Sequence, residues 1–219
     1  MKSAGTPASQ VSSRSRTDAR SAPVVQLSDV SLSHAQLMHW IAEFNETRGR
    51  WPDRDELEGA PLFDAALLND LQRWSLVAWD GDERLVAMEQ WVTLPVVGSV
   101  AAGVPIEAIE NHQGQLSLPL NLFRERPTYL LRVRGDSMKD AGILDGDLIA
   151  VRKTDNVGEG KIIVARVDNE VTVKRLKLEA GQVALMPENP DYQPIMVAPE
   201  ELVVEGLFVG VIRDRNHLH

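Results

Sequence analysis

Residues 33 to 49 read SHAQLMHWIAEFNETRG, and Leu37, Trp40, Ile41 and Phe44 recur there at helical spacing to form one apolar stripe. Ser33 and Gln36 stand at capping-box spacing, which predicts the helix start. Gly49 suits its end, and Trp51-Pro52 closes it. Asp53-Arg54-Asp55-Glu56 offers a second helix start, and Gly59 and Pro61 keep that helix short. Asp64 suits the cap of a third helix, DAALLNDLQRWS, with Leu67, Leu68, Leu71 and Trp74 inward. The period then changes. VAW, the turn DGDE and RLVAM predict a β-hairpin. Three short helices followed by a hairpin is the element order of a winged helix-turn-helix module.

From about residue 94 the apolar runs are strand-like: TYLLRVRG, DLIAVRK, KIIVARVD, EVTVKRLKL, QVALMPEN and ELVVEGLFVGVIR. Turn residues separate them, which predicts a mostly β domain with curved, barrel-like sheets. The expected fold class is α+β: a winged helix-turn-helix-like domain at residues 31–92 and a mostly β domain at 93–219. Residues 1–30 are rich in Ser, Ala, Thr, Pro and Arg. They hold too few large apolar side chains to offset ordering entropy, so a disordered basic tail is expected. All five tryptophans (40, 51, 74, 79 and 91) fall in or beside the helical region.

Composition narrows the class. The chain has 219 residues, 43% hydrophobic and 25% charged, as in ordinary soluble domains. No apolar run approaches the ~20 residues of a membrane span, and the N-terminus lacks the apolar core of a secretory signal. No cysteine is present, which excludes disulfides and Cys-based metal sites. A cytoplasmic protein without membrane association is the simplest expectation. The net charge of −9 is uneven: residues 1–24 carry +3, residues 25–93 carry −8 and residues 94–219 carry −4. An acidic helical module departs from the basic face usual in nucleic-acid binders.

The candidate chemistry centres on Ser137, in VRGDSMKDAGILDGD. A strand runs into Gly135 and one helical turn is expected after Ser137, so the serine reads either as a cap or as a nucleophile beside unpaired backbone N–H groups. A nucleophile needs a base. His112, His217 and His219 are the histidines available in this half, and nothing in the pattern positions them. Lys174 is the other option. In EVTVKRLKL it shares one strand face with Thr172, Leu176 and Leu178, and burial there would lower its pKa; a solvent-facing strand lysine fits the same pattern. His34 and His39 are five apart, not at ligand spacing, and no phosphate-binding glycine loop occurs. No metal or cofactor is expected.

Taken in order, LPVVGSVAAGVPIEAI, LLRVRGDSMKDAGILDGDLIAV, VARVDNEVTVKRLKL, LMPENPDYQPI and VEGLFVGVIR closely resemble the C-terminal domain of LexA-type repressors, a family that includes UmuD-like proteins and phage CI repressors. The resemblance covers about residues 93–214. It implies a self-cleaving Ser–Lys serine endopeptidase in which Ser137 is the nucleophile and Lys174 the general base. It implies that Ala102–Gly103 is the scissile bond, within a cleavage loop at 98–114, and that GSVAAGVPI is both linker and substrate. The oxyanion donors expected with it are the backbone N–H groups of Ser137 and Met138. It further implies a homodimer formed through residues 93–219, for which LFVGVIR is expected as an edge strand. The RecA filament on single-stranded DNA is the trigger that the family implies.

The helical region resembles the LexA winged helix in its first helix, its Trp-Pro and its hairpin. The segment between is shorter, and PLFDAALLND replaces a polar recognition-helix start. Arg48, Arg50, Arg54, Asn69, Arg73 and Arg84 are the candidate contacts to DNA. The leading expectation is a LexA-like transcriptional repressor of DNA-damage (SOS) genes that binds double-stranded operator DNA and is inactivated by RecA-stimulated self-cleavage. The alternative is a self-cleaving regulator whose N-terminal module binds a protein partner. A UmuD-like polymerase accessory subunit fits less well, because such proteins carry only a short arm before the cleavage site.

Overall fold

The computed structural model describes residues 27–88, 90–98, 112–168, 170–179 and 181–213. Leu27–Asp29 forms a 3-10 turn and Val30 is buried, so the packed chain begins before the expected end of the tail at residue 30. Helix α1 (Leu32–Arg48) starts two residues earlier than Ser33 and Gln36 imply. Its cap is Ser31, whose side chain accepts from the His34 backbone while the His34 ring accepts from the Ser31 backbone. Helices α2 (Arg54–Glu58) and α3 (Ala65–Arg73) start at the expected caps, Asp53 and Asp64. Strands β1 (Val77–Trp79) and β2 (Leu85–Ala87) form the hairpin.

The buried face of α1 is wider than one stripe. Leu37 and Ile41 are buried as expected, but so are His34, Ala35 and Met38, while Trp40 and Phe44 lie half-buried with their rings 5.3 Å apart. The helix packs both on α3 and on the sheet, so it needs two apolar sides.

The other strands are β3 (Trp91–Val97), β4 (His112–Pro119), β5 (Tyr129–Arg132), β6 (Leu148–Arg152), β7 (Ile162–Val167), β8 (Glu170–Glu179), β9 (Gln182–Met186), β10 (Ile195–Val197) and β11 (Val203–Ile212). They pair in the order β10-β9-β8-β7-β11-β6-β5-β3-β4, antiparallel except for β3 beside β5. Among the described residues the ladder is open, ending at β10 and β4. Register shifts bend it at Pro95/Val97, Val204/Gly206 and Phe208/Gly210. The LFVGVIR run is not an edge strand: β11 lies between β6 and β7. It is interior by hydrogen bonding, although only Gly206, Leu207 and Ile212 of the strand are buried.

The helices and the sheet share one core. Leu37, Ile41 and Leu71 cluster with Leu94, Leu118 and Leu130. Only residues 88–90 separate β2 from β3. Across the α1–sheet contact, His39 Nδ1 lies 3.2 Å from the buried Ser117 hydroxyl, which is 2.9 Å from Thr93 Oγ1. The mixed α+β composition and the largely β C-terminal half therefore agree with the sequence pattern. Among the described residues no helix is long and apolar enough to cross a membrane.

Candidate active site

Strand β5 delivers the chain into the loop that carries Ser137. Val133 donates to Asp147 O at 2.8 Å and accepts from the Gly146 N–H at 3.1 Å, fixing where the loop leaves the sheet. Gly135 turns it with φ +80°, a region that L side chains rarely adopt, and donates to Asp145 Oδ1 at 2.7 Å. A 3-10 turn follows at Lys139–Ala141, preceded by Met138 and without a side-chain cap. Ser137 therefore does not cap the turn.

Its hydroxyl faces Lys174 instead, with Oγ and Nζ 2.7 Å apart. Lys174 lies on β8 opposite Ile163 of β7 and is only 6% exposed. Its amine also reaches Thr172 Oγ1 at 2.8 Å and Val173 O at 2.9 Å. Among the described residues no carboxylate pairs with it, and burial pulls its pKa below the ordinary lysine value. Of the expected leucine neighbours, Leu176 is buried but Leu178, near the strand end, is 57% exposed.

Three neutral acceptors satisfy an ammonium. A neutral amine in the same place donates to Thr172 Oγ1 and Val173 O and accepts the Ser137 proton on its lone pair. Serine and base stand at the distance that general-base activation requires.

A cleft of ≈180 Å³ opens beside this pair, lined by Gly98, Arg132, Val133, Ser137, Met138 and Thr172 among others. Gly98 is the last described residue before 99–111, and a Cβ there would collide with the Gln113 side chain. Ala102 and Gly103 lie outside the described residues. Among the described residues no hydrogen bond uses the N–H of Ser137 or Met138. Of the histidines weighed as bases, His112 opens β4, and His217 and His219 lie outside the described residues.

Sequence reasoning missed the polar groups on the loop after β9 that meet the Ser137 loop. Glu188 N–H donates to Ser137 O at 2.8 Å, Asn189 Nδ2 to Asp136 O at 3.1 Å and Tyr192 OH to Asp136 Oδ1 at 2.6 Å. These partners are about fifty residues apart, and the turn-rich ENPDY segment carries no local sign of its target.

The arginines of the helical unit are scattered and engaged. Arg50 bonds Glu56 through both terminal nitrogens at 2.6 Å, holding that carboxyl down to about 2. Arg73 pairs with Asp70 at 2.8 Å. Arg84 donates to Trp51 O at 3.0 Å. Arg54 lies over Trp79 at 4.9 Å and Arg48 over Phe44 at 5.4 Å. Asn69 is exposed on α3. Among the described residues no group of three or more His, Asp or Glu is placed to hold a metal ion.

Comparison with known proteins bears on the fold around this pair. Residues 95–209, which include the whole cleft, match the Peptidase S24-like family. The chain belongs to that family. That match places the Ser137–Lys174 cleft inside a peptidase domain. A LexA repressor of Dechloromonas aromatica is 43% identical over 186 residues, which are 81% of this chain and 92% of the relative. A LexA repressor of Alcanivorax borkumensis is 60% identical over 123 residues, 56% of this chain and 60% of the relative. One of Cupriavidus pinatubonensis is 56% identical over 124 residues, 56% and 57% respectively. With the last two, the match spans less than two thirds of the relative's length.

Proposed function

We propose that this S24-like peptidase is a transcriptional repressor of DNA-damage (SOS) genes that inactivates itself by cutting Ala102–Gly103. The observation that carries the proposal is the 2.7 Å approach of Ser137 Oγ to a buried Lys174 that has no carboxylate partner among the described residues. Neutral Lys174 takes the Ser137 proton as Oγ attacks the carbonyl carbon of Ala102. The N–H groups of Ser137 and Met138 stabilise the oxyanion. The lysine ammonium then gives its proton to the Gly103 amine as the C–N bond breaks, leaving an acyl ester on Ser137. Water, deprotonated by Lys174, hydrolyses that ester and restores the serine. Because the substrate is in the same chain, its effective concentration is high.

Residues 31–92 are then a winged-helix-like unit, with residues 93–219 as the peptidase and dimerisation domain, in which the bulged strands curve the sheet into a barrel-like form. The cytoplasmic protein binds double-stranded operator DNA as a homodimer, and the RecA filament on single-stranded DNA favours the docked, cutting state. Arg48, Arg50, Arg54, Asn69, Arg73 and Arg84 supply contacts to DNA, the arginines exchanging their present partners for phosphates. The repressor names of the relatives support operator DNA over a protein partner.

The test uses the uncuttable Ser137→Ala chain. Captured at moderate salt, genomic DNA should be enriched for one defined palindromic sequence. Capture at background level contradicts the repressor reading.

A further inference from the structure

We infer that Asn189 and Tyr192, on the loop after β9, are positioning residues that hold the Ser137 loop in register with Lys174; the inference rests on the Ser–Lys reading above. Gly135 N–H is tied to Asp145 Oδ1 and Met138 is buried after the serine, which leaves Asp136 between two fixed points. Arg134, Gly135 and Asp136 are exposed, so side-chain packing does not pin the segment that leads into the serine. A reacting pair must be held to a fraction of an ångström, and polar bonds from a fixed neighbour are the available means.

Those bonds converge on the residue before Ser137 and on Ser137 itself. Asn189 is 3% exposed. Its Nδ2 donates to Asp136 O at 3.1 Å and to Asp136 Oδ2 at 3.3 Å, and its Oδ1 accepts from the Asp191 N–H at 3.0 Å. Tyr192 OH donates to Asp136 Oδ1 at 2.6 Å, and its backbone N–H returns to Asn189 O at 3.2 Å. The main chain closes the brace: Glu188 N–H donates to Ser137 O, and Asp140 N–H to Glu188 O, both at 2.8 Å.

The same segment is tied to the base. The Glu188 carboxylate accepts from the guanidinium of Arg175, the residue after Lys174, and Met186 lies opposite Arg175 in the β8–β9 ladder. Glu188 thus meets the nucleophile loop through its backbone and the lysine strand through its side chain. Asn189 and Tyr192 extend that link to Asp136.

The experiment measures the first-order self-cutting rate of the full chain across pH for wild type, Tyr192→Phe, Asn189→Ala, Asp136→Ala and the double variant Asp136→Ala/Tyr192→Phe, with Ser137→Ala as control. Labelling of Ser137 by a fluorophosphonate and the melting temperature are read in parallel. Tyr192→Phe should lower the plateau rate about 10-fold and Asn189→Ala about 100-fold, the cost of misplacement near 1 Å. Labelling should fall with them, and the pH midpoint should stay where Lys174 sets it. Tyr192→Phe should add nothing once Asp136 is gone, because the two act as one unit.

Wild-type plateau rates in Tyr192→Phe and Asn189→Ala, with Ser137→Ala inert, would overturn the positioning role and leave the dyad standing. Losses that track the melting temperature and vanish on cooling would overturn it too. If Ser137→Ala itself cuts normally, the reading beneath it fails instead.

Discussion

Arg50 and Lys174 are both cations of an acidic chain, held in opposite ways. Arg50, in the helical unit, faces the Glu56 carboxylate through two 2.6 Å bonds. Lys174, in the cleft, is 6% exposed and meets a serine hydroxyl, a threonine hydroxyl and a carbonyl. A carboxylate beside a cation favours its charged form, whereas burial among neutral acceptors favours the uncharged form. The helical unit keeps its charges fixed. The cleft holds one amine in a setting where its proton is easily lost, which frees a lone pair facing the Ser137 hydroxyl.

The largest effects fall where the dyad is broken. Ser137→Ala and Lys174→Ala should each slow self-cutting at least about 10³-fold, followed as loss of intact chain on a denaturing gel, with far-UV dichroism unchanged. Making the cleft resemble the helical unit comes next. Thr172→Asp sets a carboxylate beside the amine, which should raise the pH midpoint of cutting by about 1 unit or more and cost about 10-fold in rate below it. An unmoved midpoint would mean that Lys174 is not the titrating group.

A smaller effect is on stability. The folded pKa of Lys174 lies below its unfolded value, so between the two the unfolded chain binds the extra proton and wild-type stability rises with pH. Lys174→Met should therefore be more stable than wild type near neutrality, by about 1 kcal/mol, with the gap narrowing as pH approaches about 10 in chemical denaturation. The smallest effect is at the exposed pair. Glu56→Gln should lower the melting temperature by about 2 °C or less. Because the Glu56 carboxyl is held down to about 2, that difference should persist above about pH 4 and fade as pH falls toward 2.

Local pattern carried the helical unit well. The Asp53 and Asp64 caps, the Asp-Gly turn and Leu37 and Ile41 are all legible at spacings of four residues or fewer. The start of α1 was not, because His34 replaces the usual Glu or Gln in the capping box of Ser31. Nor was the place of β11, since apolar alternation does not say which strands lie on either side. In the cleft, the surroundings of Ser137 and Lys174 left the cap and solvent-facing readings open, and the family resemblance singled the pair out as candidates. Their 2.7 Å approach and the Asn189–Asp136 bond depend on strand order, which brings together residues 37 and 53 positions apart.

The central claim is that a neutral Lys174 activates Ser137 against the chain's own Ala102–Gly103 bond. The most direct measurement is the rate of self-cutting of the purified chain from about pH 6 to pH 11, with fragment masses read at each point and Lys174→Ala alongside. The account predicts a rate that rises about tenfold per pH unit to a plateau, with one midpoint below the ordinary lysine value of about 10.4. It also predicts fragments ending at Ala102 and starting at Gly103, and no cutting in the variant. A flat profile, a different cut, or normal cutting by Lys174→Ala would contradict it.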